Sequence, residues 1–118
     1  MTKTILYGIP NCDTVKKARN WLQAHGTEHQ FHDFKKAGLD AEIVAGWLKQ
    51  VTWETLVNKK GTTWRALPDE KKASILDASS ATALMLEAPS VIKRPVLCTG
   101  TRVLVGFNAE LYETNLNA

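Results

Sequence analysis

Tyr7-Gly8-Ile9-Pro10-Asn11-Cys12-Asp13-Thr14 is the stretch from which the fold can be read. Before it, Thr4-Ile5-Leu6-Tyr7 is a run of β-branched and large apolar residues, and a strand is predicted over residues 2–8. After it, Val15, Ala18, Trp21 and Leu22 recur at helical spacing, with Lys16, Lys17, Arg19 and Gln23 between them. A helix is predicted over 13–25, closed by a glycine at 26 suited to a left-handed cap. Gly8, Pro10 and Asn11 supply the tight turn between the two elements. Cys12 therefore falls at, or one residue before, the first turn of a helix. Helix-start N–H groups have no intrahelical partner, and the peptide dipoles sum to positive potential there. A free cysteine titrates near ~8.5, and beside cations at a helix N-terminus this falls to roughly 3.5–7.5. Lys16, four residues on, can lie over the same turn, whereas the charge of Asp13 opposes a thiolate. The alternative for Cys12 is a buried apolar cysteine. The strand–turn–helix context favours the reactive reading.

Further along, Glu28 to Phe34 alternates. His29, Phe31 and Asp33 take one face and Gln30, His32 and Phe34 the other, as in a second strand. Strand–helix–strand order implies a right-handed crossover between parallel strands. Asp40 can cap a helix striped by Ile43, Val44, Trp47 and Leu48. A short helical turn is expected over Trp53–Val57. The segment 58–65 reads as a polar loop with three cations, Lys59, Lys60 and Arg65. Pro68-Asp69-Glu70 opens another helix, with Ile75 and Leu76 as its buried side. Ser79 or Ser80 caps the next, which carries Ala83, Leu84 and Leu86 and stops before Pro89. Pro95 to Cys98 and Arg102 to Gly106 read as paired strands joined through Thr99-Gly100-Thr101. Asn108 caps a terminal helix with Leu111 and Leu116 inward. The expected organisation is one domain over 1–118 with a helical insertion over 39–90.

At 118 residues, 44% apolar and 23% charged, a folded globular chain is expected. The net charge of +3 is mild and no block of like charges occurs, so nucleic acid is an unfavoured partner. No signal peptide is visible, and no apolar run approaches the roughly 18 residues of a membrane span. Two cysteines are too few for a secreted disulfide scaffold, and the better fit is a reducing cytoplasm with free thiols. Sequence leaves a Cys12–Cys98 disulfide open. Cys98, beside Val96 and Leu97, reads as a core residue. His25, His29 and His32 read as surface or strand histidines, without the partners that would complete a zinc site.

Four ordered motifs carry a resemblance over nearly the whole chain. They are residues 7–19, Gly-Thr-Thr-Trp-Arg at 61–65, Ile-Lys-Arg-Pro-Val-Leu at 92–97 and Val-Leu-Val-Gly-Phe at 103–107. Together they resemble the arsenate reductase/Spx family, most of all its YffB-type branch. The resemblance implies an α/β, thioredoxin-like (glutaredoxin-like) fold, a β-α-β…β-β-α core with an inserted helical subdomain. It implies that Cys12 is the nucleophile, that Arg94 contacts the substrate oxyanion, and that Pro95 follows a cis peptide bond. A guanidinium can hold two oxygens at once, which suits Arg94 to that task. Asn11, Lys59, Lys60 and Arg65 are further candidates for anion contact, and Pro10 shapes the turn at the site. Two other arginines of the plasmid-type arsenate reductases are missing: the aligned position is Asn58 in one case and lies in Val103–Gly106 in the other. Arsenate is therefore a doubtful substrate.

The expected activity is a thiol oxidoreductase in which the Cys12 thiolate reduces a disulfide or an oxyanion. Glutathione or another small thiol is the co-substrate, with no bound cofactor and no metal. A cytoplasmic monomer is expected, acting on an oxidised small molecule or a protein disulfide. The alternative class is a regulator. Spx-type members bind RNA polymerase and carry a Cys-x-x-Cys switch at this turn. Val15 stands where the second cysteine would be, leaving a redox-insensitive protein-binding module.

Overall fold

The structure is a computed structural model, and it describes residues 4–99 and 102–116. Two compact units emerge. One holds the chain as far as Gly38 and again from Arg94; the other is Leu39–Lys93.

The first unit is built on β1 (Ile5–Gly8), α1 (Asp13–Ala24), β2 (Gln30–Asp33), β3 (Val96–Cys98), β4 (Val103–Val105) and a C-terminal helix, α7 (Ala109–Leu116). The strands form one sheet in the order β2-β1-β3-β4. β1 and β2 run parallel, as the crossover pattern requires, with Leu6 opposite Phe31. β3 is antiparallel to both β1 and β4, with Leu6 opposite Leu97 and Leu97 opposite Leu104. These residues therefore share one face of the pleat. They are buried there with Val15, Ala18 and Leu22 of α1 and Tyr112 of α7. Burying each such leucine contributes about 1.5–3 kcal/mol. The guanidinium of Arg19 lies 4.5 Å over the Phe31 ring and covers the edge of this layer.

Helix α1 ends as its glycine foretells. Gly26 has φ +66°, its N–H donates to Gln23 O at 3.1 Å, and the Thr27 N–H donates to Leu22 O at 2.9 Å. This pair of bonds is a Schellman close. At the other end of the molecule's chain, the Leu111 N–H donates to Asn108 Oδ1 at 3.1 Å, the expected cap of α7. The inward residue of α7 differs from the expectation, however. Leu111 is 38% exposed, whereas Tyr112 is completely buried. The phenol fits because Trp21 and Phe107 meet its ring edge-on at 5.5 and 5.0 Å, and its hydroxyl points at Gly106 O at 3.5 Å. Residues 100–101 of the expected β3–β4 connection, and residues 2–3 of the expected first strand, lie outside the described residues.

The second unit contains α2 (Ala41–Leu48), α3 (Trp53–Leu56), α4 (Thr62–Arg65), α5 (Asp69–Ser74), α6 (Ala78–Glu87) and a 3-10 turn at Pro89–Val91. Its buried side chains include Val44, Trp47, Leu56, Trp64, Leu84, Met85 and Ile92. The Asp40 carboxylate caps α2 by accepting the Ile43 N–H at 2.9 Å. Three expectations need correction here. Residues 62–65 are a helical turn with Trp64 buried, so the polar loop ends at Gly61. α6 is capped by Asp77 in a capping box with Ser80, two residues before Ser79 and three before Ser80. The Ser80 N–H and hydroxyl hold the Asp77 carboxyl below its usual range. Ala81, Leu84 and Met85 face inward and Ala83 is exposed. Ile75 is buried as the residue that closes α5, but Leu76, next along an extended segment, is 78% exposed.

Gly8 decides how closely α1 sits on β1. A Cβ built there would lie 2.8 Å from Val15 Cγ2 and 3.3 Å from Cγ1, and Val15 is completely buried. Gly8→Ala should therefore destabilise the fold by about 1–3 kcal/mol in urea unfolding. Val15→Ala in the same chain should recover part of that loss by emptying the space.

Burial pushes the Tyr112 hydroxyl well above its ordinary value of 10.0. A raised value in the folded state means stability is complete below the unfolded tyrosine's range and is lost above it. Denaturant midpoints measured across alkaline pH should fall more steeply for the wild type than for Tyr112→Phe, the curves parting above pH ~10.

Candidate functional site

Cys12 is the N-cap of α1, with extended backbone (φ −110°, ψ 124°), and its carbonyl accepts the first helical bond, from the Lys16 N–H, at 2.9 Å. The sulfur makes no capping bond to the helix. It is half-buried and packs against the core cluster formed by Leu6, Val15 and their neighbours. The first-turn N–H groups that follow it have no acceptors within the helix, and the dipole end favours negative charge on an atom placed there. Asp13, the acidic residue of that turn, is exposed and works against it. Pro10 and Asn11 form the exposed turn that leads into Cys12.

The Arg94–Pro95 peptide bond is cis. Pro95 is buried and its carbonyl accepts the Gly106 N–H at 2.8 Å. Since Tyr7 lies opposite Val96 in the antiparallel register, the next step of that register puts Pro95 beside Gly8. Arg94 and Pro95 thus enter the sheet at the end from which the chain leaves for Cys12. Arg94 is half-buried, and its Nε is fully covered.

Cys98 lies at the other end. It is opposite Ile5, three residues before Gly8, which is roughly 10 Å of strand at the usual rise. A disulfide needs Cα atoms within about 7 Å. Neither cysteine is in a disulfide, and Cys98 is half-buried on β3. The placement fits Cys98 as a residue of the sheet and not as a partner that resolves an adduct on Cys12.

The remaining candidates, Lys59, Lys60 and Arg65, are all exposed side chains of the second unit. Sequence reasoning missed how Lys59 is held. Its Nζ lies 5.3 Å from the Trp53 ring centroid and 5.5 Å from that of Trp64. Only the folding of 53–64 into two short helices around a turn brings those rings together; their spacing in the chain carries no such signal. Gly8 was read only as a turn former, although its nearness to Val15 seats the helix that begins at Cys12. Val15, at the position of the second cysteine in a Cys-x-x-Cys turn, is completely buried and belongs to the core. His25 stacks on Trp21 at 3.8 Å, and its Nδ1 donates to Trp21 O; His32 Nε2 donates to Gly38 O at 2.8 Å. Among the described residues no three His, Cys, Asp or Glu side chains gather as a metal set, and no helix is long and apolar enough to cross a membrane.

A four-stranded sheet with β2-β1-β3-β4 order, a cysteine at the N-cap position of the first helix and a cis-proline opening the third strand define a thioredoxin-like α/β protein. The family model of the ArsC family matches residues 7–115, and the chain belongs to that family. A solved structure of a protein named YffB is 46% identical, with a TM-score of 0.91, covering 97% of this chain and 99% of that one. An arsenate reductase (ArsC) related protein from Brucella melitensis is 49% identical, with a TM-score of 0.74, covering 98% and 96% of the two chains. The global transcriptional regulator Spx of Lactiplantibacillus plantarum is 25% identical over 108 residues, which is 90% of this chain and 80% of that protein. The fold is accordingly that of the ArsC-family, thiol oxidoreductase-like proteins.

Proposed function

We propose that the protein is a cytoplasmic, monomeric thiol reductase that uses Cys12 alone as its nucleophile and glutathione as its reducing co-substrate. The observation that carries this reading is the position of Cys12, a half-buried sulfur at a helix N-cap that is not spent on capping. Attack on a disulfide requires the sulfur anion, and the helix end favours it. The Cys12 thiolate attacks one sulfur of a mixed disulfide, forms a protein–glutathione disulfide and expels the other thiolate. A second glutathione thiolate then attacks the glutathione sulfur of that adduct, releasing glutathione disulfide and restoring Cys12. The external thiol is needed because Cys98 pairs with the far end of β1. Arg94 holds an anionic group of the substrate or co-substrate, with Asn11 at the turn beside the thiol. Disulfides are the favoured substrate class over arsenate, since Asn58 and the Val103–Gly106 run supply no guanidinium.

A second reading, a protein-binding regulator, draws on the likeness to Spx. Turnover separates the two. With glutathione present, the wild type should reduce a mixed disulfide of glutathione and a small thiol. Cys12→Ser should abolish that activity, whereas Cys98→Ala should keep it within about twofold. A folded wild type without turnover would turn the reading toward the regulator.

A further inference from the structure

The parallel register of β1 and β2 puts Asp33 beside Gly8. One further bond, from the Phe34 N–H to Gly8 O at 3.2 Å, carries the pairing past the strand end. Residues 34–38 therefore leave the sheet at the end where the chain turns toward Cys12. On the other flank of β1, Pro95 stands beside Gly8. The 33–38 turn and the Arg94–Pro95 step thus bracket the end of β1, two strand spacings or roughly 10 Å apart.

Hydrogen bonds fix the shape of that turn. Phe34 is buried beneath it. The Lys35 and Lys36 N–H groups donate to Asp33 Oδ1 at 3.0 and 3.4 Å, and the Ala37 N–H donates to Asp33 O at 2.8 Å. Gly38 takes a φ of +79°, and its carbonyl accepts from His32 Nε2 at 2.8 Å. The His32 ring is itself 4.9 Å from that of Tyr7. The Asp33 carboxylate is engaged by the backbone of the turn. Lys35 and Lys36 are both exposed, and among the described residues no carboxylate lies within ion-pair distance of either.

We propose that Lys35 and Lys36 are specificity-determining residues of the Cys12 site, favouring disulfides that carry carboxylates. This deepens the function proposed above and rests on Cys12 as the nucleophile. Two like charges on a fixed turn beside the thiol raise the local concentration of an anionic partner, and so the rate at which it arrives. Asp13, exposed on the first turn of α1, acts against them. Exposed cations of this kind contribute rate more than affinity, and salt screens them.

The test follows exchange at one sulfur, in the full chain carrying Cys98→Ala. The Cys12 thiolate attacks one sulfur of an aromatic disulfide. The reagent's S–S bond breaks, a disulfide forms between Cys12 and one aryl sulfur, and the other sulfur leaves with the bonding pair as a light-absorbing thiolate. The reagent is thus the oxidant. Two reagents are compared: dithiobis(nitrobenzoic acid), which carries two carboxylates, and dithiodipyridine, which is neutral. Lys35→Gln combined with Lys36→Gln should slow the dicarboxylate about fivefold at low salt and change the neutral reagent by less than about 1.5-fold. In about 0.5 M salt that difference should largely vanish. Arg102→Gln, at the opposite end of the sheet, should change neither rate. Equal slowing of both reagents would mean that the lysines act on the ionisation of the thiol, and it overturns the proposal, as does no slowing of either. Those two outcomes leave Cys12 as the nucleophile. If Cys12 reacts with neither reagent, the Cys12 reading fails and the selectivity falls with it.

Discussion

Helix α1 can start where it does because residue 8 has no side chain. The methyl groups of Val15 occupy the space a Cβ would need, and the core closes over that contact with Leu6, Ala18, Leu22 and Leu97. Interiors packed to this density transmit displacement, so the first turn of α1 cannot drift from the end of β1. Cys12 is the residue between those two elements. Its position at the N-cap is thus inherited from a core contact and not from bonds made by the thiol. The register of β3 on β1 delivers Arg94 and Pro95 to the same end of the sheet, again by strand pairing within one unit. Glycine is required here by close approach; at Gly26 it is required by a left-handed φ of +66°.

Most of the first unit was legible in the residues because local signals agree with one another there. The apolar run at Ile5–Tyr7, the helical stripe from Val15 to Leu22, the closing Gly26 and the Asn108 cap each lead to the element observed. The reading failed where several short helices compete for a frame. Asp77 takes the cap that Ser79 or Ser80 was expected to provide, and Ser80 answers it from the third helical position. The inward face of α6 is set by the apolar spacing of Ala81, Leu84 and Met85. Leu76 and Leu111 were expected inside on hydrophobicity alone. Position relative to a helix end decides the first, and a larger aromatic neighbour, Tyr112, takes the buried place from the second.

The candidate site was legible to differing depths. Cys12 could be read because a strand, a turn and a helix stripe bracket it within a dozen residues. Arg94 and Pro95 were readable through resemblance, and their closeness to the β1 end needed the strand register. The restraint on Lys59 was not readable at all. Trp53 and Trp64 meet around it only through tertiary folding of a segment that sequence rendered partly as a loop. The two units carry different chemical assets: a thiol on a helix end in one, and a restrained cation in the other. The turn between β1 and α1 places the first, and the packing of two indoles accounts for the second.

The central claim is that Cys12, not Cys98, is the sulfur that enters exchange. Glutathione disulfide offers a direct measurement, since attack on it leaves a glutathione adduct on the attacking cysteine and releases one glutathione. Peptide mapping by mass spectrometry after brief exposure at neutral pH should place the adduct on Cys12 and leave Cys98 a thiol. An adduct confined to Cys98, or equal modification of both cysteines, would contradict the assignment of the α1 N-terminus as the reactive centre.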